Sequence, residues 1–149
     1  MFGPQGQFTV RPNMGDLMTD KNLFFKADPY CVFLFGDQRA MSSVCKKGGK
    51  RPIWNDAIIF KRTAEENLLV QLWDKDKLSK DDLIAEGSLK VTNLFEPGVH
   101  QTSIDLFCKG KLIGKLLIET EFTPGLKVMP QATDVLLSSQ PMTTSGNRF

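Results

Sequence analysis

The sequence predicts an all-β fold, an eight-stranded antiparallel β-sandwich, on three observations. Short apolar segments recur between clusters of glycine, proline, asparagine and aspartate. No long stretch sustains a helical period, and LLIETEF at 116–122 alternates apolar and polar residues, as a strand with one buried and one wet face does. The expected strands are 7–11 (QFTVR, ahead of Pro12–Asn13), 29–36 (PYCVFLFG) and 39–45 (RAMSSVC, running into a basic, glycine-bearing stretch). They continue with 57–61 (AIIFK, after Asn55–Asp56), 68–73 (LLVQLW, ending at an aspartate) and 83–91 (LIAEGSLKV). The last two are 103–107 (SIDLF) and 115–122 (KLLIETEF). Pro29 fits the first position of its strand because it need not donate to the ladder there. Eight such strands suffice for two packed sheets whose inner faces bury alternating side chains.

At 149 residues the chain accommodates one domain with a hydrophobic core. That domain is expected over 1–124. The segment 125–149, rich in proline, serine and threonine around Val135, Leu136 and Leu137, reads as a C-terminal tail, linker-like or partner-bound. With 41% hydrophobic and 24% charged residues the composition is that of an ordinary soluble protein, and a net charge of +2 is too mild to imply nucleic acid as a partner. Cys31, Cys45 and Cys108 are odd in number and in no CxxC pairing, which argues against a disulfide framework or a zinc site and for a reducing, cytoplasmic setting. The opening MFGPQGQFTV lacks the basic and apolar regions of a signal peptide, and no apolar run reaches the length of a membrane span. Membrane contact is therefore expected to be peripheral.

Nothing in the sequence supports catalysis. His100 is the lone histidine and lies in an EPGVH turn, no GxSxG, glycine-rich phosphate loop or HExxH is present, and Glu65–Glu66 read as loop-capping residues. Trp54 and Trp73 read as core aromatics. The chain is expected not to be an enzyme.

The chemistry concentrates in LWDKDKLSKDD at 72–82, with four aspartates in the nine positions from Asp74 to Asp82. Carboxylates converging on one point repel unless a cation sits between them, and calcium, a hard ion taking several oxygen ligands, is the natural occupant. Alternation puts Asp74 and Asp76 on one side of the chain as it leaves the strand, and Asp82 returns as the loop closes. Asp28, just ahead of Pro29, is a second source of carboxylate at a strand rim. Asp81 reads as a spare carboxylate or a solvated neighbour.

ADPYCVFLF, KRPIWNDAIIF, LLVQLWDKDKLSKDDLIAEGSL and GKLLIETEFTP, in that order over roughly residues 6 to 124, resemble the C2 domain family. The likeness is greatest to the small single-domain type similar to plant elicitor-responsive proteins. An aspartate segment ahead of the second strand, with GKLLIETEF as the last, looks like the topology called type II. The resemblance implies calcium ligands on two loops, two on the first and three on the third. Asp74, Asp76 and Asp82 match the third-loop set and Asp28 the second ligand of the first loop. The remaining position is Asn22, a departure from the pattern: its neutral carbonyl oxygen, or Asp20 through a slightly longer loop, would complete the set.

Between Asp20 and Asp28, Leu23, Phe24 and Phe25 are bracketed by Lys21 and Lys26, as aromatic wedges and cations are in membrane-docking loops. The same triplet could instead fold under the loop as a small satellite core or meet a protein. Lys75, Lys77, Leu78 and Lys80 supply a similar set around the aspartates. Lys46, Lys47, Lys50 and Arg51 form a basic patch that suits an acidic surface or a solvated loop. The segment YCVFLF is apolar on both faces. Val32 and Leu34, with Ala40 and Ser42, stand where the resemblance would place the cations of a phosphoinositide groove, so this face is expected to be covered by the tail, through Val135, Leu136 and Leu137, or by another protein subunit. Two functions follow. One is a calcium-responsive module that binds anionic phospholipid as a peripheral adaptor. The other is a calcium-independent scaffold subunit in a cytoplasmic or cytoskeletal assembly.

Overall fold

The computed structural model describes residues 6–18 and 27–125. Asp20, Lys21, Asn22, Leu23, Phe24, Phe25 and Lys26, together with Val135, Leu136 and Leu137, lie outside them. The elements are β1 (Gly6–Leu17), β2 (Pro29–Phe35), β3 (Gln38–Met41), β4 (Ile58–Lys61), β5 (Asn67–Asp74), β6 (Asp82–Lys90), β7 (Val99–Cys108) and β8 (Lys111–Pro124), with one turn of 3-10 helix at Thr92–Phe95. All strand pairs are antiparallel, in the order β3-β2-β5-β6-β7-β8-β1-β4.

The halves β3-β2-β5-β6 and β7-β8-β1-β4 join at a single pairing, Glu86↔Phe107. There the sheet folds on itself into a sandwich. Its core stacks rings from both layers: Phe8 of β1 lies 5.5 Å from Phe35 of β2, which lies 5.7 Å from Phe60 of β4. Off-parallel aromatic pairs at such separations add roughly 0.5–1.5 kcal/mol each beyond area burial. In β8, Leu116, Ile118 and Thr120 are buried and Lys115 and Leu117 face solvent, the alternation expected of LLIETEF.

Strand bounds differ from expectation where local pattern misleads. β1 runs through Pro12 to Leu17, because a register shift between Pro12 and Met14 absorbs the proline that would otherwise end the ladder. β3 stops at Met41: beyond it Ser42 and Cys45 bond back to β2 from a loop. Trp54 is buried, its indole donating to the Pro29 carbonyl oxygen at 3.2 Å. Trp73, expected in the core, is only half-buried, with Nε1 donating to Gln71 Oε1 at 3.1 Å.

On β2, Cys31, Phe33 and Phe35 point into the core, while Val32 and Leu34 lie on the outer face. Val32 is buried between Met41 and Gln71 in register, and Leu34 is half-buried beside Leu69.

Gly87 makes the joint possible, since a Cβ there would collide with the Asp105 carbonyl oxygen and Ile104. Gly87→Val is expected to destabilise the domain by about 1–3 kcal/mol, the usual range for overpacking. Thermal unfolding followed by circular dichroism checks this. An unchanged midpoint would mean that the sheets do not close at Gly87.

Candidate functional site

Three neighbouring strand ends build one rim. Asp28 immediately precedes β2, Asp74 ends β5 and Asp82 begins β6; the register pairs Pro29 with Asp74 and Asp74 with Asp82. The Asp28 amide donates to Asp74 Oδ1 at 2.9 Å, and the Lys75 amide donates to the Asp28 carbonyl oxygen at 3.0 Å. Like charges directly opposite in a ladder are destabilising, and they are the lesser of two causes that raise the pKa of the Asp74 carboxyl. Partial burial pushes its pKa above the ordinary range, the bond from the Asp28 amide opposes this, and the charges of Asp28, Asp82 and Asp76 push it further up. Asp28, Asp76 and Asp82 are thus near enough for their charges to act on Asp74.

The oxygens of Asp28, Asp74 and Asp76, however, accept from internal donors. Asp76 Oδ1 accepts from the amides of Leu78 and Ser79 at 2.9 and 3.3 Å, and its Oδ2 accepts from the Ser79 hydroxyl at 2.8 Å. These bonds hold Asp76 below the usual carboxylate range. Asp28 Oδ1 accepts from the Lys47 amide at 2.6 Å. Among the described residues no group of three or more histidines, cysteines or acids is arranged to hold a metal ion. The donor chemistry, hard oxygens crowded into mutual repulsion, suits calcium. Asp76 would have to leave its turn to contribute an oxygen.

Asp81 does more than a spare carboxylate. Its Oδ1 accepts from the Asp76 amide at 2.9 Å, its Oδ2 accepts from the Tyr30 hydroxyl, and Lys75 Nζ lies 3.7 Å away. This network ties the loop after β5 to β2 and holds Asp81 below its ordinary range. Burial raises the Tyr30 pKa to about 12, with the hydrogen bond and charge of Asp81 adding to it and Arg39 opposing it. No sequence signal marks this pair, because residues 51 positions apart meet only through the β2–β5 register.

The basic loop joins the same rim. Besides the Lys47–Asp28 bond, the Cys45 amide donates to the Pro29 carbonyl oxygen at 2.8 Å and the Gly49 amide to that of Ala27 at 3.2 Å. Lys47 adopts φ 57° and Gly49 φ 58°, left-handed values that turn the loop back over Asp28. Lys46 and Lys47 are exposed, Lys50 is half-buried with its carbonyl oxygen accepting from the Leu17 amide, and Arg51 Nε lies 3.5 Å from Asp16. In the loop after β5, Lys75, Lys77 and Lys80 are exposed, and Leu78 is 96% exposed. Away from the rim, His100 Nε2 lies 3.1 Å from the Glu96 carbonyl oxygen, and Glu65 accepts from the Asn67 amide as a loop cap does.

A family model described as the C2 domain matches residues 6–106. Elicitor-responsive protein 1 of Oryza sativa subsp. japonica is 28% identical over 123 residues, covering 74% of this chain and 77% of the relative. Among solved structures, a C2 domain-containing protein from a putative elicitor-responsive gene superposes with a TM-score of 0.73 at 23% identity, covering 85% of this chain and 94% of that one. The calcium-bound pair of C2 domains of extended synaptotagmin 2 superposes with a TM-score of 0.64 at 21% identity, covering 83% of this chain and 48% of that one. At these identities the two structures speak for the fold alone.

Asp74→Asn keeps an acceptor for the Asp28 amide and removes one repelling charge. Because the folded pKa of Asp74 is raised, its ionised form costs stability at neutral pH, and that cost disappears as pH falls below the ordinary carboxylate range. The variant is therefore expected to melt above the parent at pH 7 without calcium, with the gap closing near pH 3; a variant that melts lower at pH 7 would contradict this. Tyr30 is the chain's lone tyrosine, so its phenol can be read directly by ultraviolet absorbance. At pH 11, where an ordinary tyrosine is roughly nine-tenths ionised, Tyr30 is expected to stay largely protonated in the folded protein, and Asp81→Asn to ionise at lower pH.

Proposed function

The chain belongs to the C2 domain family, and on that premise we propose that it is a calcium-responsive module that docks peripherally on anionic phospholipid. Members of this family bind phospholipid membranes, and the calcium dependence and the residues are our own reading. The observation that carries it is Leu78, an apolar side chain left 96% exposed at the tip of the loop that also bears Asp74 and Asp76. Exposed apolar tips flanked by lysines match a surface that is apolar a few ångströms down and anionic above.

In this reading Asp28, Asp74, Asp76 and Asp82 supply carboxylate oxygens to calcium, with Asp20 or Asn22 completing the set. Bound calcium would remove the repulsion at Asp74 and turn the rim's charge positive. Lys75, Lys77 and Lys80, joined by Lys46 and Lys47 of the neighbouring loop, then face lipid headgroups while Leu78, and Leu23, Phe24 and Phe25 between Lys21 and Lys26, enter the acyl boundary. No described helix is long and apolar enough to cross a membrane. The cytoplasmic leaflet, rich in anionic lipid, is the matching surface. The scaffold reading draws on a separate feature, the outer face around Leu34, and does not compete for the rim.

Sedimentation with phosphatidylcholine vesicles, with and without phosphatidylserine, tests the proposal. The protein is expected to pellet with the serine-containing vesicles in calcium and to stay in solution with chelator. Leu78→Ala is expected to weaken binding on the order of tenfold, from the transfer value of the methylenes lost. Pelleting indifferent to calcium would refute calcium dependence, and no pelleting would refute lipid docking.

A further inference from the structure

From the groove over the β6–β7 joint we infer a second binding surface, for an extended, apolar, lysine- or arginine-bearing segment of another protein. The inference is independent of the calcium and lipid reading. The two strands are neighbours in the sheet order yet pair at one position, Glu86↔Phe107. The outer faces of both sheets meet there in a groove of about 640 Å³, which continues into one of about 440 Å³ through the shared Leu34 and Leu69.

Its floor is apolar and open. Leu69 is 44% exposed and Phe107 41%, with Leu34 half-buried between Leu69 and Arg39. Among the described residues, every charged residue lining either part is a carboxylate, Glu65, Glu86 and Asp105, with Lys115 standing beside the lining in register with Asp105. An anionic lipid headgroup is repelled by that lining, whereas an apolar strand with interspersed cations matches both its floor and its walls. The two adjoining parts, joined through Leu34 and Leu69, suit an extended chain, which presents alternate side chains to one surface. Farther along the same outer face of β7, β8 and β1, away from the joint, this character is lost: Arg11 pairs with Glu121 at 3.3 Å, and Gln101 with Glu119.

Two other occupants fit less well. A second copy docked symmetrically would bring Glu86 and Asp105 against their own counterparts, a like-charge contact. In the chain beyond Gly125 the longer apolar run, Val135, Leu136 and Leu137, has Asp134 beside it and no interleaved cation, and the shorter Leu126–Lys127–Val128 carries a single one.

The test is selection of a phage-displayed library of random peptides on the immobilised full chain, followed by affinity measurement on synthetic versions. Peptides alternating lysine or arginine with aliphatic residues are expected to emerge. Their affinity is expected to fall at least ~10-fold in Leu69→Asp and in the Glu86→Lys/Asp105→Lys pair, two independent alterations whose folding is checked by thermal melting. Vesicle pelleting of both variants is expected to match the parent, which separates this surface from the rim. The inference is overturned by selection of acidic peptides, by no enrichment, or by affinities that both variants leave unchanged. It is equally overturned if a synthetic 126–149 peptide displaces the selected ones, which assigns the groove to the chain's own tail. Self-association abolished by Leu69→Asp would assign it to a second copy, and loss of vesicle pelleting to lipid.

Discussion

Asp74 and Asp82 are paired across two hydrogen-bonded strands, and Asp28, immediately ahead of the third strand alongside, is tied to Asp74 through its amide. That enforced proximity of like charges is the constraint around which the rim is arranged. A sandwich stabilised by Phe8, Phe35, Phe60 and the buried aliphatics can hold such repulsion at one end, because apolar burial elsewhere in the domain supplies the offsetting free energy. Burial raises the Asp74 pKa most, and the charges of Asp28, Asp82 and Asp76 add to it.

The rest of the rim reads as a response to it. Asp76 is drawn into a turn by Leu78 and Ser79, Asp28 takes the Lys47 amide, and Asp81 is fastened by Tyr30 and Lys75. Each donor partly satisfies a carboxylate of the rim, and those to Asp76 and Asp81 favour the ionised form. The loop thus has an internal alternative to a cation, and in the proposed reading calcium competes with those donors for the carboxylates. The groove over Glu86 and Phe107 stands apart from this competition, on the flank of the sheet and closer to the opposite strand ends. The two proposed surfaces are thus separate places on one domain.

Much of the fold is legible in the sequence because alternation is a local property: LLIETEF declares its buried and wet faces residue by residue, and Asn67 and Asp74 bracket β5. Where local cues conflict with pairing, the reading slips. Pro12 looks like a terminus until the register shift beside it is seen, and Trp73 looks like core until its strand position puts it on the outer face. The aspartates of the rim are legible as a cluster from spacing alone, since Asp74 to Asp82 is one short excursion between strands. The approach of Lys47 to Asp28 and the Tyr30–Asp81 bond are not, because both depend on which loops and strands become neighbours, and nothing in a single sequence reports that.

The most direct measurement is calorimetric titration of calcium into the purified protein, beside a double variant carrying Asp74→Asn and Asp76→Asn. The account predicts a saturable heat for the parent that is absent in the variant, since the ion must draw on those two carboxylates. No heat at millimolar calcium, or the same heat from both proteins, would contradict it and leave the rim as a set of turn residues satisfied by their own loops.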